Sequence, residues 1–276
     1  MGNYLKTAIL LTALGALFLF VGHLIGGQSG LLIALVLSLG LTGFSYWQSE
    51  RLALSMARAR PLDRSAAPWL HSANEELSAR AGIPAPPLYV SPDPQPNAFA
   101  CGRGPGASSV CVTQGLLEAM SQREVIGVLA HELAHIKNRD VLTMSIVAAV
   151  SQAVMFLQYF AYFIPLSRDD DGPNPLALLV ALILAPFAAI LIQMAVSRTR
   201  EYAADATGAR LMGDPLPLAD ALSTLGRATR ATQSRTAQPA TAHMYIAQPL
   251  SGGMASLFST HPPIEERIRR LRGLSE

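Results

Sequence analysis

Charge is scarce in this chain. Of its 276 residues only 14% are Asp, Glu, Lys or Arg, half are hydrophobic, and the mean hydropathy is +0.31. That balance is too apolar for an ordinary water-soluble domain. Lysine is nearly missing: Lys6 and Lys137 stand alone, and arginine carries almost all the positive charge. A net charge of +2 offers no basic field for a polyanion, so no nucleic-acid partner is expected. Cysteine is limited to Cys101 and Cys111. Two cysteines build no disulfide framework, and neither sits in a C-x-x-C metal pattern. Internal repeats and long low-complexity runs are lacking as well.

The absence of charge is concentrated in four stretches. Thr7 to Gly22 is apolar, and after the uncharged link Gly26-Gly27-Gln28-Ser29-Gly30 comes a second apolar run, Leu31 to Trp47. A signal peptide needs a cleavage site and a mature domain after it. A second apolar run suits a transmembrane hairpin over residues 1–48 instead, with Phe44, Tyr46 and Trp47 as interfacial aromatics. Val141 to Leu166 and Leu176 to Val196 carry no charged side chain and flank the polar turn Arg168 to Pro173. They predict a second membrane hairpin over 141–196. Gln152, Gln158 and Gln193 leave a buried helical hairpin as the alternative.

The remaining segments, 49–140 and 197–276, are polar enough to face water and predict two cytosolic catalytic parts. Helices are expected over Pro68 to Ala81, from about Arg123, over Arg198 to Met212, Pro215 to Thr232 and Pro262 to Leu271. Short strands are expected at Leu88 to Val90, Asn97 to Cys101 and Ser108 to Thr113. Gln233 to Ser251 reads as irregular. Lys6, the arginines from Arg51 to Arg64, Lys137, Arg139, Arg198 and Arg200 flank one side of the four spans, which places both termini in the cytosol. A reducing cytosol argues against a Cys101–Cys111 disulfide, although the two could face each other across the hairpin.

The chemistry centres on His131-Glu132-Leu133-Ala134-His135, an H-E-x-x-H pattern among apolar Val125, Ile126, Val128, Leu129, Leu133 and Ile136. On a helix, residues i and i+4 share a face, so both imidazoles reach one metal ion. Glu132 is turned aside by about 100° and suits a base acting on water rather than a ligand. Catalytic zinc takes three protein ligands and leaves one position open. Glu201 in Arg200-Glu201-Tyr202-Ala203-Ala204-Asp205 is the candidate third ligand. Asp205 shares its helix face and can accept a hydrogen bond from a ligating histidine. The bland alternative is a solvated charged face. Asn97, Ala98, Phe99 and Ala100 are candidate substrate-binding residues, on a strand whose edge pairs with an extended polypeptide. An ordinary core hairpin is the alternative there. Such an edge needs cover at rest, for which 233–258 is the candidate.

With these residues in view, the chain resembles the HtpX-type integral-membrane zinc endopeptidases, relatives of the CAAX prenyl endopeptidases. The resemblance rests on the apolar hairpin, Asn97-Ala98-Phe99-Ala100, the H-E-L-A-H, the R-E-Y-A-A-D at Arg200, and Ser259 to Arg267. It implies one zinc per chain at His131, His135 and Glu201, with Glu132 catalytic. It implies a multi-pass protein of the bacterial inner membrane that degrades unfolded or damaged membrane proteins. It also suggests that His261 lies near the active site as a catalytic residue that stabilises the oxyanion; the residues themselves leave a helix cap equally open. The fold class expected is mainly α: four transmembrane helices with a cytosolic zincin-like α+β domain carrying a small sheet. A zinc-containing scaffold or a transporter is the competing function, disfavoured by spans almost without ionisable residues. Oligomeric state is not legible.

Overall fold

The computed structural model describes residues 2–142, 198–231, 246 and 262–274. The second uncharged pair beyond residue 142, nearly all of 233–258, and His261 lie outside the described residues. Within them the chain is mainly helical with one small mixed sheet.

Helix α1 (Gly2–Met56) runs through both N-terminal apolar stretches without an assigned break. The sequence placed a link at Gly26 to Gly30. Its backbone counterpart is Gly27, whose φ of +56° is left-handed and open to glycine because it lacks a Cβ. α1 also continues past Trp47, where the sequence turns polar. Polarity there marks the end of an apolar surface, not the end of the helix. Many side chains of its apolar part are outside the described set. Among the described residues no helix is long and apolar enough to cross a membrane.

The sheet has the order β1-β2-β4-β3, from β1 (Arg60–Pro61), β2 (Leu88–Ser91), β3 (Ala98–Gly104) and β4 (Ala107–Thr113). β2 runs parallel to β4, and the other two pairings are antiparallel. Among the described residues β3 is therefore an edge strand. Its register with β4 shifts between Gly102 and Gly104. A Cβ on Gly102 would lie 2.3 Å from the Ala107 carbonyl oxygen, and φ there is +133°, so only glycine fits. The two-residue β1 carries too little pattern to be read from sequence.

Strand alternation sends β3 into two separate cores. Ala98 and Ala100 join Val110 and Val112 in the main core, whereas Phe99 and Cys101 pack with Cys111 and with Ala53 and Leu54 of α1. Cys101 pairs with Ser109 and Phe99 with Cys111, so the cysteines are diagonal neighbours and not opposite each other. Both are free thiols. Burial drives the Cys111 thiol up to about 12.

The main core is organised on α4 (Gln122–Lys137). Val125, Val128, Leu129, Leu133 and Ile136 pack against Leu70 and Leu77 of α2 (Pro68–Ala81), Leu218, Leu222 and Leu225 of α6 (Leu216–Ala231) and Leu271 of α7 (Ile264–Arg272). Each fully buried leucine contributes about 1.5–3 kcal/mol. Local signals fix the helix ends. Gly82 closes α2 in the left-handed conformation, and Thr113 caps α3 (Gln114–Ala119) by accepting from the Leu116 amide. Ser121 and Glu124 form a reciprocal capping box at the start of α4.

Candidate active site

His131, Glu132 and His135 lie in the buried C-terminal half of α4, with His135 in its last turn. One helical turn brings the two Nε2 atoms to 3.1 Å. Each ring's other nitrogen meets an aspartate at 3.0 Å: His131 Nδ1 faces Asp205 Oδ1 and His135 Nδ1 faces Asp140 Oδ2. These contacts turn both Nε2 atoms toward a common point.

Helix α5 (Arg198–Met212) supplies the third group. Glu201, Asp205 and Gly208 recur at i, i+4 and i+7 and so share one face. Gly208 explains how closely that face approaches: a Cβ there would lie 3.1 Å from both the Ala130 carbonyl carbon and the His131 amide nitrogen. With the helices nearly touching, Glu201 Oε1 comes to 3.6 Å from His135 Nε2, and Oε2 to 3.7 Å from His131 Nε2. One atom from each of the three residues falls within 4.8 Å of the others. Tetrahedral zinc with bonds of about 2.0–2.1 Å sets its ligand atoms about 3.3 Å apart. The 3.1 Å between the two Nε2 atoms is close to that figure, and each Glu201 oxygen comes within 3.7 Å of one of them.

Buried charge surrounds the cluster. Arg267 of α7 is wholly buried. Its Nε and Nη2 donate to the two oxygens of Asp205 at 2.8 and 2.7 Å, and its Nη1 lies 3.4 Å from Glu201 Oε2. Burial works to raise the Asp205 carboxyl, but the charge and hydrogen bonds of Arg267, together with His131, outweigh it and hold the group at about 2. Burial works to lower His135, yet the Asp140 hydrogen bond and the Glu201 and Glu132 charges lift it to about 9. Glu132 moves upward because burial outweighs the pull of the two histidines and of its hydrogen bond.

That hydrogen bond comes from β3. The Ala100 amide donates to Glu132 Oε2 at 2.8 Å. The Thr113 amide donates to the Asn97 carbonyl, so by antiparallel alternation the main chains of Ala98 and Ala100 face away from β4, toward the edge that has no strand partner among the described residues. Asn97 is buried, and its Oδ1 accepts from the Ile246 amide at 3.0 Å. Ile246 is the sole described residue of 233–258, the stretch expected to cover this edge. Phe99 turns to the opposite face from Ala98 and Ala100, as the strand period requires.

The structure thus gathers His131, Glu132, His135, Glu201, Asp205 and the Ala98–Ala100 edge around one point. Three contributors were not anticipated. Asp140 follows α4 in an unremarkable Asn-Arg-Asp. The Ala100 amide is backbone. Arg267 had a signal: it lies on the same stripe of α7 as Ile264, Ile268 and Leu271, where a solvated arginine does not belong.

The family profile described as "Peptidase family M48" matches residues 64–275. The chain is 50% identical over 280 residues to a "Protease HtpX homolog" of Desulfatibacillum aliphaticivorans, covering 99% of this chain and 90% of that protein. Among solved structures it is similar to that titled "Crystal Structure of S. mikatae Ste24p", with a TM-score of 0.53 at 19% identity. That match covers 98% of this chain but only 65% of the other, and at such identity the likeness is one of fold.

Proposed function

We propose, from the premise that this chain belongs to peptidase family M48, that it cleaves polypeptides at one zinc ion held by His131, His135 and Glu201. The chain is a membrane-associated metalloprotease. The observation that carries the site assignment is the mutual spacing of the three ligand atoms on α4 and α5. Zinc bound there supplies Lewis-acid polarisation of a carbonyl and lowers the pKa of water. Glu132, held in place by the Ala100 amide, takes the proton from the attacking water and passes it to the leaving amine. Asp140 holds His135 in the tautomer that presents Nε2, and the Asp205 carboxylate lies against the Nδ1 side of His131. An extended substrate adds to the β3 edge along the main chain of Ala98 and the carbonyl of Ala100, whose amide is held by Glu132, with little demand on sequence. Asn97 anchors the start of that edge. We assign His261 a place near the same cleft, by resemblance. The expected substrates are unfolded or damaged membrane proteins.

The test separates metal from chemistry. Glu132→Gln is expected to keep about one zinc per chain and lose casein hydrolysis, by roughly a hundredfold or more. Glu201→Ala is expected to lose zinc as well. Full zinc and activity in Glu201→Ala would remove the third ligand from this reading.

The proposed layout is a membrane hairpin over 1–48, a second over 141–196, and cytosolic parts over 49–140 and 197–276, in a bacterial inner membrane. Its support is the placement of the arginines in the sequence. Cysteines introduced at Ser29 and Asp170 are expected to react with an impermeant thiol reagent in intact cells. The native thiols, both buried, give little background. Labelling at Ser65 but not at Asp170 inverts the layout.

A further inference from the structure

The odd-numbered residues of β3 lie along the last turns of α1, and their contacts step in opposite directions along the two elements. Phe99 packs in one cluster with Ala53 and Leu54. Cys101 Sγ lies 4.0 Å from the Glu50 carbonyl oxygen, and Ser109, its partner across the hairpin, donates to Glu50 Oε1 at 2.5 Å. The Arg103 guanidinium sits over the Trp47 ring at 4.5 Å and near the Tyr46 ring at 5.7 Å. Two strand residues advance about 6.6 Å and the matching three to four helical residues about 5 Å. Strand and helix therefore run side by side, antiparallel, and the β3–β4 tip points toward the apolar part of α1.

The level of that tip is marked. Trp47 is 68% exposed and Phe44 56%, and on the same helix Leu39 and Val36 are 66% and 70% exposed. Trp and Tyr at the boundary between an apolar helix surface and a polar domain sit where a bilayer meets water. An arginine stacked on them keeps its stem apolar and its charge at the headgroups. The partner of this surface is accordingly the interface of a lipid bilayer.

We infer that the β3–β4 tip rests on the bilayer and that β3 holds the scissile bond at a fixed height above it. Ala100, which touches Glu132, is three residues from Arg103, roughly 10 Å at about 3.3 Å per residue. A substrate strand laid along the β3 edge spans that gap in about three to five residues. The substrate class follows: the extended segment beside a polypeptide's own membrane span, cut at a set distance from the membrane rather than at a set sequence. This rests on the peptidase reading above.

The experiment uses the full chain with zinc in lipid vesicles. One substrate is a single membrane span followed by an unstructured linker; the other is the same linker as a soluble peptide. Cut sites are mapped by mass spectrometry before and after four residues are inserted between span and linker. Cuts at an unchanged distance from the span, hence at new residues, are the expected result. Cuts that travel with the inserted residues overturn the inference and leave the peptidase reading intact. Absence of cleavage of both substrates removes the peptidase reading and this inference together. Trp47→Ser combined with Arg103→Ser is expected to spread the cut sites in the anchored substrate by several residues while the soluble peptide is cleaved at its former rate. An unchanged pattern in that variant shows that the tip does not set the height.

Discussion

The two histidines sit one helical turn apart, equally buried, each with its Nδ1 3.0 Å from an aspartate. The likeness ends at the aspartates. Asp140 lies five positions beyond His135, on the loop that closes α4. Asp205 comes from α5 and is itself gripped by Arg267 from α7. One histidine is oriented by local chain, the other by the docking of two more helices. The two sides therefore differ in degree: the contact that orients His135 is made within one stretch of chain, although Asp140 also feels the buried Arg200 of α5, while the His131 side requires α5 and α7 together.

Arg267→Ala is the substitution expected to do most. It leaves Asp205 buried beside His131 without its bidentate partner, a loss of about 3–5 kcal/mol. Denaturant unfolding is expected to show that loss, with zinc content falling in proportion to the unfolded fraction. A normal midpoint would mean that the His131 side is as self-sufficient as the other. Asp140→Asn probes the local side. It is expected to lower zinc affinity by roughly 10–100-fold, with a far smaller change in the unfolding midpoint than Arg267→Ala. Competition against a zinc chelator reads this directly, and equal destabilisation by the two variants would erase the distinction. Ser121→Ala is the mildest. It breaks the capping box of the shared helix, costing about 1 kcal/mol without favouring either histidine. Zinc affinity in the folded protein is expected to stay within about twofold, as only helix stability changes. A larger fall would show that fraying of α4 reaches the site.

The same divide governed what could be read from the sequence. The α4 half was legible because its information is local: H-E-x-x-H encodes its own geometry once the segment is helical. Proline and glycine marked several helix ends well, as at Pro68, Gly82 and Gly213, because those residues act on the backbone where they stand. The spacing of Glu201 and Asp205 puts them on one face, and that face is the one that lies beside the two histidines. Arg267 read as part of a charged helix; its burial is a property of α5 and α4 arriving around it. The Ala100 amide carries no side-chain signature at all. The continuation of α1 to Met56 carries no such signal, since a change of polarity records what a helix faces and not where it stops.

Arg267 also imposes an order in time. It meets His131 from 136 residues further along the chain. During synthesis at about 5–20 residues per second, an interval on the order of ten seconds separates their emergence. Throughout that interval the H-E-x-x-H segment has been made while the ion pair that anchors Asp205 has not. The pairing that fixes Asp205 beside His131 thus waits for α7, while the contact between His135 and Asp140 needs only five further residues.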